Sequence, residues 1–204
     1  MDEILIKQVE GKREREIFLT FPWKIYANDP IWVPPLLPER RKQVDPDRGV
    51  FFKRGYTEFF IAWQNNQPVG TICLAEDTVG NELVDKRDCL FGFFECTNDY
   101  SVAVHLFNFA CDWAKSHNLS ALYGPFNLDY EDGYGILVEG RDRPPAILCG
   151  HTTPYYQGFI ERYGFLPGRG RNLAFGYEIE PNRETLKELI KTSDRVAIKK
   201  RFTI

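Results

Sequence analysis

The stretch FFECTNDYSVAVHLF, residues 93–107, joins an apolar strand to an amphipathic helix through a turn of about four polar residues. The apolar positions of this helix recur at helical spacing, at Val102, Leu106, Phe109 and Trp113. Asn98 or Asp99 can cap the helix, because a short polar side chain accepts hydrogen bonds from the first backbone N–H groups. The pattern predicts a strand over residues 90–96 that leads directly into a helix over residues 99–116.

Strand patterns on both sides of this unit predict a mixed sheet. Residues 120–124 follow the helix as a strand, and a strand–helix–strand unit with short joints is a parallel, right-handed crossover. Upstream, residues 58–64 and 68–76 alternate in strand fashion on either side of Asn65-Asn66-Gln67, which indicates an antiparallel hairpin.

The N-terminal part of the sequence contains a strand, a helix and a proline-rich segment. Residues 3–9 alternate as a strand, and residues 12–26 carry apolar side chains at helical spacing. Residues 28–46 hold five prolines among large apolar side chains, too many prolines for one regular element and too much apolar surface for a free linker. A packed, extended collar is predicted there.

A long loop precedes the last helix of the core. Residues 125–152 are rich in glycine, proline and acidic side chains, and a loop of this length inside a domain is usually functional or an inserted hairpin. The next helix begins with Thr153 as its N-cap and Pro154 in its first turn. It ends at Gly164, a left-handed stop on which Phe165 folds back.

The C-terminal region is predicted to hold the last strand of the domain, followed by an appended helix and strand. Residues 171–180 alternate as a sixth strand, residues 182–193 form a surface helix capped by Asn182, and residues 195–203 alternate as an edge strand. One domain over residues 1–180 is predicted, with an appended helix and strand over residues 181–204. This appendage can link to a second domain.

Composition bounds the class of protein. The net charge of −3 and the isoelectric point near 5.7 give no basic surface for nucleic acid. No apolar run reaches the roughly 18 residues of a membrane span, and the start of the chain is charged, so no membrane partner and a cytoplasmic location are expected. Five cysteines without CxxC spacing predict reduced core thiols, and no metal is expected.

The order of these elements, with the Gly-Phe stop after the short helix, resembles the GNAT superfamily of acyl-CoA-dependent acyltransferases. The segments that carry the resemblance to its acyltransferase-like bacterial members are PWKIYANDPIWVPPLLPER, GFFECTNDYSVA, GPFNLDYEDGYGILVEG and PYYQGFIERYGF. The resemblance implies an α/β (α+β) domain with a mixed central sheet flanked by helices. The sheet would splay between residues 90–96 and 120–124 to make a cleft.

The resemblance also implies acyl transfer, of an acetyl group by expectation, from coenzyme A to an amine acceptor. Phe94, Glu95 and Cys96 would line the thioester and pantetheine, and the backbone of Thr97, Asn98, Asp99, Tyr100 and Ser101 would hold the pyrophosphate. The sequence departs from the superfamily here, because CTNDYS replaces the usual glycine-rich turn and Asp99 places a negative charge beside the expected anion.

Glu95 and Tyr156 are the candidate catalytic pair. On a regular strand Glu95 would share a face with Phe91 and Phe93, and apolar surroundings raise a carboxylate pKa toward the range of a general base. Pairing with a lysine or arginine is the structural alternative. The resemblance places a tyrosine acid at position 160, which is an isoleucine here, so Tyr156 one turn earlier is the substitute, with packing as its alternative role.

The acidic part of the long loop is a candidate acceptor site. Asn127, Asp129, Glu131 and Asp132 could bind an ammonium group or, with a spacing that matches no metal motif, a cation, although a solvated turn is the simpler interpretation. His151 is a second candidate base, or a hydrogen-bonding loop residue. Two other functions remain open: a non-catalytic GNAT-like domain that binds a ligand or partner, and a scaffold whose cleft is filled by residues 125–152.

Overall fold

The computed structural model of the protein describes residues 3–129, 134–146, 149–168, 173 and 184–200. The chain divides into two compact units, residues 1–170 and 171–204. The elements of the first unit are β1 (Ile4–Gln8), α1 (Lys12–Ile25), α2 (Leu37–Gln43), a 3₁₀ turn (Phe51–Lys53), β2 (Tyr56–Gln64), β3 (Gln67–Glu76), α3 (Thr78–Leu83), β4 (Asp88–Cys96), α4 (Tyr100–Ser116), β5 (Ala121–Tyr123) and α5 (Pro154–Tyr163). The second unit contains α6 (Glu184–Lys200).

The five strands form one mixed sheet in the order β1-β2-β3-β4-β5. Neighbouring strands are antiparallel except β4 and β5, which are parallel. Residues Asn65 and Asn66 have positive φ angles of 50° and 59°, as the tight turn of the β2–β3 hairpin requires. The predicted hairpin, crossover and mixed α/β sheet are therefore confirmed.

β4 and β5 separate after a short paired segment. Their pairing ends at Leu90 and Tyr123, although β4 continues to Cys96. A bulge lies in the part of β4 that extends beyond its pairing with β5. There Cys73 of β3 opposes Gly92 and Thr71 opposes Glu95, so two residues of β4 face one of β3. Phe93, within the bulge, has a φ of 46°. The ladder between the two strands thus ends in the region where the splay was expected.

Helices cover both faces of the sheet. The apolar stripe of α4, including Val102, Leu106 and Phe107, is fully buried against one face, and α1 buries Phe18 and Leu19 on the other. Each large side chain buried in this way contributes about 1.5–3 kcal/mol relative to exposure. These two layers fix β4 between them and so fix the position of the cleft.

Three local elements differ from the sequence-based predictions. The proline-rich segment contains the short helix α2, which tolerates a proline because its first-turn N–H groups have no helical acceptor. Helix α3 was not predicted; the side chain of Asp77 caps it by accepting from Gly80 N. The edge strand predicted from residue 195 is wrong through residue 200, because α6 continues there with apolar residues still at helical spacing.

The last helix of the first unit agrees with its prediction. α5 begins at Pro154, and Gly164 ends it with a φ of 106°. Phe165 N donates to Ile160 O across this stop, as a left-handed helix terminus requires. The strand predicted over residues 171–180 lies outside the described residues except for Leu173, and the cap Asn182 also lies outside them.

Two further findings concern the whole described chain. All five cysteines are free thiols, and Cys73, Cys89 and Cys96 are buried. Within the described ranges, no helix combines the length and the apolar character needed to cross a membrane.

Candidate active site

Glu95 lies next to the end of β4, just after the bulge. Because the bulge adds a residue, Phe91 and Phe93 pack into different clusters on opposite faces of the sheet. The expectation that Glu95 shares a face with both phenylalanines is therefore wrong, since it shares a face with Phe93 alone. The interrupted alternation brings the Glu95 carboxylate to the hydroxyls of Tyr26, at the end of α1, and Tyr156, in α5.

Two tyrosine hydroxyls hold the Glu95 carboxylate. Tyr156 donates to Oε2 at 2.7 Å, and the Tyr26 hydroxyl lies 3.4 Å from Oε1. Burial raises the pKa of Glu95 to about 7, although both tyrosine hydrogen bonds and the charge of Arg40 act in the opposite direction. A carboxylate with this pKa is divided between its two protonation states near neutral pH, which suits a general base.

The first turn of α5 lies against the free edge of β4 at the end of the strand. Tyr156 is completely buried, and its hydroxyl accepts from Cys96 N at 2.7 Å while it donates to Glu95. Tyr155 donates to Cys96 O at 2.8 Å. Burial and the neighbouring Glu95 raise the pKa of Tyr156 well above its ordinary value. This arrangement favours Tyr156 as a group that positions Glu95 over a group that releases its own proton.

The segment after β5 lies against β4 at the bulge. Phe126 N donates to Phe91 O, and Phe93 N donates to Asn127 Oδ1, both at 2.7 Å. Gly92 permits this approach, since a Cβ there would lie 1.8 Å from Phe126 O. Asn127, one of the predicted acceptor ligands, is thus bonded to the sheet.

The other acidic candidates of this loop are not brought to Glu95 by any described contact. Asp129 is exposed at the end of a described range, and Glu131 and Asp132 lie outside the described residues. Their role as acceptor ligands stays a prediction.

The turn between β4 and α4 is a capped helix start. Asp99 Oδ1 accepts from both Ser101 N and Ser101 Oγ at 2.8 Å, so Asp99 caps its own helix and occupies an N–H group that a phosphate would use. The guanidinium carbon of Arg162, from α5, lies 3.9 Å from the centre of the Tyr100 ring at the start of this helix.

A second polar group lies beyond Tyr26. His151 Nε2 and Asp29 Oδ2 are 2.7 Å apart, and the His151 side chain is only 6% exposed. Both residues line a cavity of about 280 Å³, together with Pro30, Ile31, Arg141 and Pro154. The Tyr26 hydroxyl also lies 3.4 Å from His151 O, so one tyrosine touches both the cavity wall and Glu95.

Sequence reasoning missed Tyr26, Asp29 and Arg141. Tyr26 and Glu95 are 69 positions apart, and Asp29 and His151 are 122 positions apart, so no local spacing signals either pair. Among the described residues, no group of three or more histidine, cysteine or acidic side chains is arranged to hold a metal ion.

Comparison with known proteins gives two similar sequences. The chain is 33% identical over 169 residues to Protein YghO of Escherichia coli K12 and 30% identical over 164 residues to a bacterial ceramide synthase of Caulobacter vibrioides. Each match covers 80% of this chain but only 42% or 43% of the relative, so the chain spans about two fifths of the relatives' length. No protein-family model matches the chain.

Solved structures share the architecture at low sequence identity. One, described as a predicted acetyltransferase with acetyl-CoA from Clostridium acetobutylicum, has a TM-score of 0.51 at 10% identity over 85% of this chain and 96% of its own. Another, a tandem GNAT protein from the clavulanic acid biosynthesis pathway, has a TM-score of 0.51 at 12% identity over 79% of this chain and 43% of its own. With the mixed sheet, the bulged β4 and the β4–β5 splay, these matches show that the chain has the fold of the GNAT superfamily.

Proposed function

We propose that the protein transfers an acyl group from an acyl-CoA to a primary amine, with Glu95 as a general base. The observation that carries this proposal is the Glu95 carboxylate itself. It lies at the end of the splayed strand β4, between the Tyr26 and Tyr156 hydroxyls, with its pKa raised to about 7. A group that is half-ionised near neutral pH both accepts and returns a proton efficiently.

The reaction needs such a group because of its proton balance. The amine nitrogen attacks the thioester carbonyl, the C–S bond breaks as the C–N bond forms, and the nitrogen must lose a proton while the departing thiolate gains one. We assign this transfer to Glu95, which takes the proton from nitrogen and returns it to sulfur. Tyr156, sequence-predicted as the acid, is assigned instead to orienting Glu95, since its buried hydroxyl is bonded on two sides.

The acyl donor is proposed to lie along the end of β4 and the start of α4. Its thioester would lie near Phe94, Glu95 and Cys96, and its phosphates near the Thr97–Ser101 backbone, with the Arg162 guanidinium over the neighbouring Tyr100 ring. The fit is imperfect in one respect, because Asp99 takes the Ser101 N–H. We therefore expect modest donor affinity, carried more by the pantetheine and acyl chain than by the pyrophosphate.

One relative supports the proposed acceptor class. A ceramide is an N-acylated long-chain amino alcohol, so the relative named ceramide synthase forms an amide on such an amine. From this relative we carry over only the type of bond that is formed, an amide on a primary amine. Acetyl transfer and transfer of longer acyl groups are both included in the test.

The test is a CoA-release assay on the purified chain. Acetyl-CoA and a long-chain acyl-CoA are each combined with short alkylamines and a long-chain amino alcohol, and amide products are verified by mass spectrometry. Glu95→Gln should reduce turnover at least ~100-fold while donor binding persists. Glu82→Gln, at an exposed position of α3, is the matched control and should leave turnover unchanged. Equal turnover of the Glu95 variant and the parent would overturn the assignment.

One observation favours a second function, a non-catalytic GNAT-like domain that binds a ligand or a partner. Polar groups on the free edge of β4 are already bonded within the chain: Asn127 holds Phe93 N, and Tyr155 and Tyr156 hold Cys96 O and N. Calorimetric titration separates the two functions. Catalysis requires binding heat with acetyl-CoA or a longer acyl-CoA, whereas absence of heat up to ~1 mM, about −4.1 kcal/mol, favours the non-catalytic domain.

A further inference from the structure

Asp29 and His151 form a hydrogen-bonded pair that the Tyr26 hydroxyl links to Glu95. A carboxylate only accepts hydrogen bonds, so the Asp29 contact at 2.7 Å fixes the proton of a neutral His151 ring on Nε2. The other nitrogen, Nδ1, then carries a free lone pair. No donor to Nδ1 occurs among the described residues, and the nearly buried ring forms part of the cavity wall.

Asp29 is held in its ionised form, which lets it act as the counter-charge of a protonated His151. Partial burial opposes its ionised form, but the hydrogen bonds from His151 and from Ile31 N hold the pKa of Asp29 below its ordinary value. Asp29 therefore stays ionised and stabilises the imidazolium that forms when Nδ1 takes a proton. The same division of labour orients the histidine in serine hydrolases.

The groups around His151 define what the cavity can accept. Asp29 follows α1, Tyr26 ends α1, and Arg141 comes from the loop before His151, where it donates to Leu137 O and Thr152 O. Glu95 of β4 is reached through Tyr26. Pro30, Ile31 and Pro154 supply apolar walls. The charged groups of the lining are the Asp29 carboxylate and the Arg141 guanidinium, and the guanidinium is bonded to two backbone carbonyls. With His151 as the base and the apolar walls around it, the Asp29 carboxylate gives an alkylammonium group with a hydrocarbon substituent its counter-charge.

We propose that this cavity receives the amine acceptor and that His151 Nδ1 removes the first proton from its ammonium group. The proposal rests on the proposed acyl transfer. The two bases then have separate tasks. His151 converts the ammonium to a free amine and passes its proton to solvent, and Glu95 moves the second proton from nitrogen to the leaving thiolate. The overall reaction consumes an acyl-CoA and an alkylammonium and yields an amide, free CoA thiol and one proton.

The test compares the turnover of the parent with that of His151→Gln at two pH values. His151→Gln removes the base, and His117→Gln, at the far end of α4, is the matched control. An alkylammonium has a pKa near that of lysine, about 10.4, so each pH unit below this supplies about tenfold less free amine from bulk solvent. The parent should exceed His151→Gln by about 100-fold at pH 7 and by less than about tenfold at pH 9.5. The control should equal the parent at both pH values.

A second acceptor makes the test independent of pH. Hydroxylamine is largely unprotonated at neutral pH and needs no first base, so His151→Gln should turn it over within about threefold of the parent after subtraction of the uncatalysed rate. Asp29→Asn should show the same pattern with a smaller loss, and it replaces His151→Gln if that variant unfolds. A loss that is equal at both pH values and for both acceptors would show a structural role and overturn the proposal.

Failure of the proposed function has a different signature. If the parent transfers acyl groups to no amine, hydroxylamine included, acyl transfer itself is refuted and this inference with it. If the parent is active and His151→Gln is equally active with alkylamines at pH 7, only the role of His151 is refuted.

Discussion

Removal of the Tyr156 hydroxyl should shift the ionisation of Glu95 upward. The hydroxyl donates to Oε2 at 2.7 Å and so stabilises the charged carboxylate. A hydrogen bond to a charged group contributes about 1.5–3 kcal/mol, and one pKa unit corresponds to about 1.4 kcal/mol, so Tyr156→Phe should raise the pKa of Glu95 by roughly 1–2 units. Starting from a pKa of about 7, the variant titrates near ~8–9.

The kinetic consequence follows from the ionised fraction. About half of Glu95 is ionised at pH 7 in the parent, and only ~1–10% would be ionised in the variant. Base-dependent turnover should therefore fall roughly 5–50-fold at pH 7 and recover as the pH approaches ~9. The assay is the acidic limb of kcat/KM against pH. ¹³C NMR titration of the Glu95 carboxyl measures the same shift without requiring activity.

Tyr163→Phe is the matched control on the same helix. Its hydroxyl donates to Asn108 Oδ1 at 2.8 Å and does not bond to Glu95. The control should leave the acidic limb in place. Tyr156→Phe also removes the acceptor of Cys96 N, so a stability loss of about 1–3 kcal/mol is expected and must be measured beside the titration. A Glu95 titration that stays at the parent's pH in a folded variant would refute the reasoning.

Three further predictions follow from the same contacts. Burial raises the pKa of Glu95 from 4.5 to about 7 on folding, so the folded protein holds this proton to a higher pH than the unfolded chain does. Between pH 4.5 and 8 the parent should therefore lose about 2–3 kcal/mol of unfolding free energy relative to Glu95→Gln, as measured by urea unfolding. A free-energy difference between the two proteins that stays constant over this range would contradict the prediction. Asp99→Asn keeps an equally good cap and removes a negative charge, so calorimetry should show roughly fivefold tighter CoA binding, about 1 kcal/mol, and unchanged affinity would leave Asp99 as a cap alone. Gly92→Ala should lower stability by about 3 kcal/mol or more, because the added Cβ would clash with Phe126 O. Gly158→Ala, with open space around it, should be neutral or stabilising. Equal thermal stability of the two variants would show that the Phe126 segment moves away from residue 92 without loss of stability.

The sequence predicted those elements whose signals are local. The β4–α4 unit is specified by an apolar strand, a capping aspartate and a helical apolar stripe, and all three lie within about 25 residues. The bulge at Phe93 escaped prediction because it depends on residues that press against β4 from elsewhere, above all the Phe126 carbonyl beside Gly92. Because the bulge was not predicted, the face of the sheet on which Glu95 lies was not predicted correctly either.

The candidate site was predicted only in part for the same reason. Glu95 was predicted because apolar neighbours on the strand would raise its pKa, and Tyr156 because it lies one helical turn before position 160, where the resemblance places a tyrosine. Their contact at 2.7 Å, and the participation of Tyr26, arise from the packing of α1 and α5 on the sheet. Asn127 was assigned to the acceptor from its acidic neighbours, but its described bond to Phe93 N gives it a structural task.

The first turn of α5 connects the proposed donor site to the proposed acceptor cavity. Tyr155 occupies Cys96 O on the free edge of β4, and its neighbour Pro154 lines the cavity. A pantetheine that pairs with this edge must displace the Tyr155 hydroxyl. A neutral hydrogen bond contributes only about 0.5–1.5 kcal/mol net, so loss of the Tyr155 bond alone reduces donor affinity by roughly tenfold at most, and pairing with Cys96 N would also displace the Tyr156 hydroxyl. Since Tyr155 and Pro154 share one helical turn, we expect donor binding to reshape the cavity wall, which makes an ordered sequence, donor before amine, the arrangement that this geometry favours.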